Sequence, residues 1–102
     1  MRIYKQIVER AGGVCEYTGT HGDFRGLQRA HIVHRKIGGR NGPMEKIIDD
    51  PRNSALVTAD IHDLIDGRRH GWPGEREKVL AYLKNKIGWY EWSKEYDKVR
   101  LG

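Results

Sequence analysis

The chain has 102 residues, 37% of them hydrophobic, with 19 Lys and Arg against 14 Asp and Glu for a net charge of +5. That length holds one core, and the balance is that of a globular domain, which excludes a collagen-like, disulfide-stapled or plainly disordered chain. The single cysteine, Cys15, has no partner for an internal disulfide and cannot supply a four-cysteine zinc site. No run approaches the ~18 consecutive apolar residues of a membrane span. Residues 1–10 mix charge with apolar side chains too closely for a signal peptide, so an intracellular (cytoplasmic) protein with no membrane partner is expected.

Ile3, Ile7 and Val8 fall at helical spacing and Gly12-Gly13 ends the run, which predicts a first helix over 3–11. Residues 15–19 read as a turn and the polar stretch to Gly26 as a loop. Residues 27–33 alternate loosely and suit a strand. Residues 36–43, with three glycines, are loop by composition. Met44, Ile47 and Ile48 make one helical turn before Asp50-Pro51 breaks it. Residues 55–58 predict a second strand. Thr58 then caps a helix bearing Asp60 in its first turn and Ile61, Leu64 and Ile65 on its apolar face, stopped by Gly67. After a Gly/Pro linker over 71–74, apolar positions from Val79 to Ile87 and from Trp89 to Val99 predict two helices, or one bent at Gly88.

Charge is segregated along the chain. Residues 21–42 carry five bases and one acid, and residues 43–66 carry two bases and six acids. The pI near 9.5 and this basic segment suit an anionic partner, although solvated surface alternation accounts for the same pattern.

Three polar positions stand out near the centre. His31 lies in an otherwise apolar strand end, Asn53 immediately precedes the second strand, and His62 lies on the helix that follows. A hairpin of the two strands, crossed by the helix, would bring His31 and His62 close. Asp66, four residues after His62, shares its helical face, a common arrangement for holding a divalent cation. Taken singly, each has a plainer reading: a hydrogen-bonded strand histidine, a turn asparagine, a solvated helix-end carboxylate.

The ordered set His31, Asn53, His62 resembles the HNH endonucleases, whose fold is a strand–strand–helix metal finger. The likeness extends through Cys15-Glu-Tyr-Thr-Gly, Arg29-Ala-His-Ile-Val, Gly38-Gly39, Asp50-Pro-Arg-Asn and the run from Leu56 to Gly67, covering residues 15–69. It is nearest to the zinc-free branch of that family. The resemblance implies a single α+β domain over 1–102: a ββα-metal (His-Me finger) core over 15–69, an N-terminal helix and a C-terminal helical extension over 75–99.

It further implies metal-dependent hydrolysis of DNA phosphodiester bonds. His31 would be the general base. His62 and Asp66 would hold one Mg²⁺ or Mn²⁺ ion, and Asn53 would brace the loop and orient His31. Arg29, Arg35, Lys36, Arg40, Arg68 and Arg69 would contact phosphates, with Arg35 and Arg68 nearest the site. One finger cuts one strand, so nicking is expected of a monomer and double-strand cleavage of a homodimer; no obligatory protein partner is evident.

Two departures from the family pattern matter. Where many members place a metal-ligating Asp or His just before the base, this chain has Ala30. His34 is a candidate replacement ligand or a phosphate contact. The four cysteine positions of zinc-bearing relatives read Cys15, Thr18, Thr58 and Ile61, so that zinc site is missing and Cys15 is expected to be a small buried residue. The aromatic residues Trp89, Tyr90, Trp92 and Tyr96 are expected to pack in the core and not to stack on bases. The alternative readings are a catalytically inactive HNH-fold DNA-binding module, which Ala30 favours, and a small basic RNA- or partner-binding protein.

Overall fold

A computed structural model describes residues 2–23, 25–33 and 43–101. Helix α1 (Arg2–Ala11) is followed by a turn-rich stretch, strand β1 (Leu27–His31), helix α2 (Pro43–Ile48), a 3-10 turn (Pro51–Asn53), strand β2 (Ser54–Thr58) and helices α3 (Ala59–Ile65), α4 (Glu75–Ile87) and α5 (Trp89–Leu101). Of the loop expected over 36–43, residues 36–42 lie outside the described residues, and Pro43 begins α2 instead. No helix among the described residues is long and apolar enough to cross a membrane.

Ile7 and Ala11 are buried one helical turn apart and carry α1 against Leu56 of β2. The helix ends in a Schellman arrangement. Gly12, at φ +71°, occupies the left-handed position, and Gly13 N donates to Val8 O at 3.1 Å.

The two strands pair antiparallel, with Leu27 opposite Thr58 and His31 opposite Ser54. All five β2 residues are buried, because both edges and both faces of that strand are covered. Along its second edge Glu16 N donates to Leu56 O at 2.8 Å and Leu56 N donates to Glu16 Oε1 at 2.9 Å. The Glu16 side chain is fully buried and is neutralised by Arg10, whose Nη2 lies 2.6 Å from Oε1. Arg10 also donates to the carbonyls of Pro51 and Ser54, so one guanidinium ties α1 to both ends of the 3-10 turn.

Strand β1 stops two residues short of the span expected from its composition. Beyond Ser54 the opposing chain enters the 3-10 turn, where Pro51 lacks an N–H and Asp50 Oδ1 accepts from Arg52 N at 2.8 Å. Ile32 N still reaches Asn53 O at 2.9 Å, but Ile32 and Val33 are no longer ladder residues.

Thr58 caps α3 as expected, its hydroxyl accepting from Ile61 N at 3.5 Å. Ile61, Leu64 and Ile65 bury against Ala30, Ala55 and Val57 of the hairpin and against Val79 and Leu83 of α4. Cys15 is buried in the same cluster, as expected. Burial pushes its thiol up, but hydrogen bonds from Thr18, Thr58 and Tyr17 outweigh that and hold it below its ordinary range.

Of the two forms open for the C-terminal region, the chain takes two helices. Gly88, at φ +81°, sits in the left-handed region and separates α4 from α5. Helix α5 runs to Leu101, slightly past the expected end. Trp92 and Tyr96 stack in parallel at 5.0 Å and pack with Ile48. Trp92 Nε1 donates to Ile47 O at 2.6 Å. The aromatic C-terminus is therefore core, with Tyr90 the half-exposed exception.

Candidate functional site

The strand–strand–helix unit positions the predicted residues in two hydrogen-bonded groups. Alternation along β1 turns Gln28 and Ala30 toward α3 and Arg29 and His31 toward the other side of the ladder. His62 and Asp66 therefore belong to one group, and His31 to a second. His31 therefore lies on the other face of β1 from Gln28, the residue that His62 meets.

In the first group His62 Nδ1 lies 2.8 Å from Gln28 Oε1. An amide oxygen only accepts, so Nδ1 is the donor of this bond and Nε2 is directed away from the strand. Nε2 faces Asp66 Oδ2 at 3.2 Å, the i,i+4 pairing that the spacing predicted. Two ligands in adjacent positions of an octahedral ion, each at ~2.1 Å, lie ~3 Å apart. The pair thus has the separation that one divalent cation needs. Gln28 has the place of the hydrogen-bond partner that orients a ligating imidazole. Sequence reasoning passed over it, and the only available signal was a polar residue two positions before the core-facing Ala30.

Arg68 Nη2 lies 3.2 Å from Asp66 Oδ2 and 3.0 Å from Asp63 Oδ1, which places this arginine at the pair while engaging it with two carboxylates. Arg69 is exposed, and among the described residues its side chain is in no ion pair. Ala30 is completely buried in the core, so the strand position before His31 supplies no donor. Among the described residues no group of three or more His, Cys, Asp or Glu is arranged to hold a metal, and His62 and Asp66 stand as a pair.

The second group surrounds the end of β1. His31 Nε2 lies 3.2 Å from Asp49 Oδ1. Arg29 donates from Nε to Ser54 Oγ at 3.0 Å and from Nη2 to Asp49 O at 3.1 Å. This guanidinium, expected at a phosphate, is mostly buried and serves as a brace between β2 and Asp49.

Asn53 links this group to the rest of the fold. It is fully buried, and all four of its amide hydrogen-bonding positions are used. Oδ1 accepts from Val33 N at 2.9 Å and from Trp89 Nε1 at 3.1 Å. Nδ2 donates to Val33 O and to Ile48 O, both at 2.9 Å. One side chain thus clamps the segment leaving His31, the end of α2 and the start of α5.

His34, Arg35, Lys36 and Arg40 lie outside the described residues. Compared with models of known families, with curated proteins and with solved structures, the chain gives no match.

Proposed function

We propose that this protein is a metal-dependent DNA endonuclease of the HNH type, built on a ββα-metal finger, that nicks one strand. The observation that carries the reading is the His62–Asp66 pair, with Nδ1 anchored by Gln28 and Nε2 at 3.2 Å from Asp66 Oδ2. His62 and Asp66 would hold one Mg²⁺ or Mn²⁺ ion, which suits an imidazole and carboxylate set completed by water and phosphate. When bound, the ion supplies Lewis-acid stabilisation of charge on the phosphate and the leaving 3′ oxygen.

The chain's own residues do the rest. His31 takes a proton from the attacking water. Asn53 holds the backbone just beyond His31, so the ring is presented from a fixed strand end. Arg69 is free to meet a phosphate, joined by Arg35, Lys36 and Arg40 from the basic segment. Arg68 sits beside Asp66, where a phosphate drawn to the site would compete for its guanidinium.

The buried Ala30 favours one rival, an HNH-fold module that binds DNA and has lost the chemistry. The two separate on supercoiled plasmid incubated in Mg²⁺, in Mn²⁺ and in EDTA, beside a folded His31→Ala variant. Metal-dependent conversion to open circle, absent in the variant, is the expected result. Linear product at early times would indicate a dimer cutting both strands. Salt-sensitive binding with no cleavage in any metal would overturn the enzyme reading in favour of the rival.

A further inference from the structure

Asp49 belongs to none of the sequence motifs, yet its carboxylate meets the ring of the proposed base. Oδ1 lies 3.2 Å from His31 Nε2, with the two side chains 23% and 18% exposed. The aspartate is held from both sides. Arg29 Nη2 donates to its backbone carbonyl at 3.1 Å and lies 3.8 Å from Oδ1, while Arg29 Nε is anchored on Ser54 Oγ. The preceding carbonyl, that of Ile48, accepts from the buried Asn53 Nδ2 at 2.9 Å. Arg29 and His31 are two residues apart on β1 and so share a face, which makes the three side chains one braced unit.

We infer that Asp49 is a positioning residue for His31, fixing which ring nitrogen faces the substrate. A carboxylate only accepts, so it holds the ring proton on Nε2 and leaves Nδ1 as the proton acceptor. The inference rests on the reading of His31 as general base. In that step the water oxygen bonds to phosphorus and the water proton passes to Nδ1. The bond from phosphorus to the 3′ oxygen breaks, and that oxygen leaves with the electron pair. The carboxylate behind the ring then stabilises the imidazolium, a role that buried aspartates play in other His–Asp pairs.

The test combines a ring signal that needs no activity with kinetics that a merely structural role would not move. Long-range ¹⁵N–¹H correlation spectra of the metal-free full chain, with His31 assigned by His31→Gln, report the tautomer and the exchange of the ring proton. Two variants accompany the wild type, Asp49→Ala and the isosteric Asp49→Asn, which keeps an acceptor but no charge. The wild type is expected to carry a protected proton on Nε2, and Asp49→Ala to lose that protection. Nicking kcat should fall ~10²-fold or more in Asp49→Ala and by an intermediate factor in Asp49→Asn. KM for plasmid and affinity for Mn²⁺ should stay within about twofold.

A wild-type ring protonated on Nδ1 would overturn the inference. So would a protected Nε2 proton that survives in Asp49→Ala, or an unchanged kcat in both variants. A wild type that fails to nick in every metal tested would bring down the nuclease reading, and the ring signal by itself would then decide whether Asp49 fixes the tautomer.

Discussion

Replacing Asn53 tests the link between the buried amide and the geometry of the strand end. Asn53→Ala strands four partners: Val33 N–H, Val33 C=O, Ile48 C=O and Trp89 Nε1–H. An unsatisfied buried polar group costs ~1–3 kcal/mol. Val33 and Trp89 are only half-buried and regain some water, whereas Ile48 is fully buried, so the sum is about 4 kcal/mol. A domain of this size has a total stability of ~5–15 kcal/mol, so the variant should lie near the edge of folding. In urea, with a slope of ~1.5 kcal/mol/M, the midpoint should fall by ~2.5 M. Asn53→Asp sharpens the test because its volume is unchanged. It sets an anionic oxygen against the carbonyls of Val33 and Ile48, where a donor stood at 2.9 Å. It should cost at least as much as the alanine. If urea unfolding places Asn53→Asp within ~1 kcal/mol of wild type, the hydrogen-bond argument for this residue is wrong.

Three further outcomes follow from the same geometry. Glu16→Gln weakens a bidentate pair whose carboxylate is fully buried. It should destabilise the fold by about 3 kcal/mol, and a thermal midpoint within ~3 °C of wild type would count against that. Burial pushes Asp50 up, but its bonds from the Arg52 side chain and backbone outweigh this and hold the carboxyl below its ordinary range. A folded-state value below the unfolded one adds stability that is complete above the unfolded value of ~3.9 and is lost as pH falls through the lower, folded value. Asp50→Asn should therefore flatten the acid limb of stability against pH and leave its slope near neutrality unchanged; equal acid limbs would refute this. Gln28→Leu removes the acceptor at His62 Nδ1 and should weaken Mn²⁺ binding ~10–100-fold by calorimetry. Unchanged affinity would show that the amide does not orient the ligand.

Much of the framework follows from local chemistry in the chain. The apolar spacing of Ile3, Ile7 and Val8, closed by Gly12 and Gly13, specifies α1 because only a left-handed residue completes the Schellman turn. Thr58, Gly67 and Gly88 mark helix ends for the same short-range reasons. The i,i+4 meeting of His62 and Asp66 is a property of helical pitch and needs no tertiary information. The burial of Trp92 and Tyr96 likewise follows from a helical stripe that must find a core.

The partners of the proposed site residues were decided only by the tertiary fold. Gln28 reaches His62 across 34 positions of sequence, and Asp49 reaches His31 across 18. Both meetings depend on the register that sets Leu27 against Thr58, since a slip of one residue would exchange the faces of Gln28 and Arg29. Arg29 illustrates the limit well. A basic residue beside a predicted base reads as a phosphate contact until the fold brings Ser54 and Asp49 within its reach. The residue pattern alone indicates which side chains have the right chemistry and where most helices stop, whereas the end of β1 is set by the 3-10 turn opposite it. Only the packed structure decided which hydrogen bonds fix those side chains, because each is a contact between segments whose approach is set by register and burial.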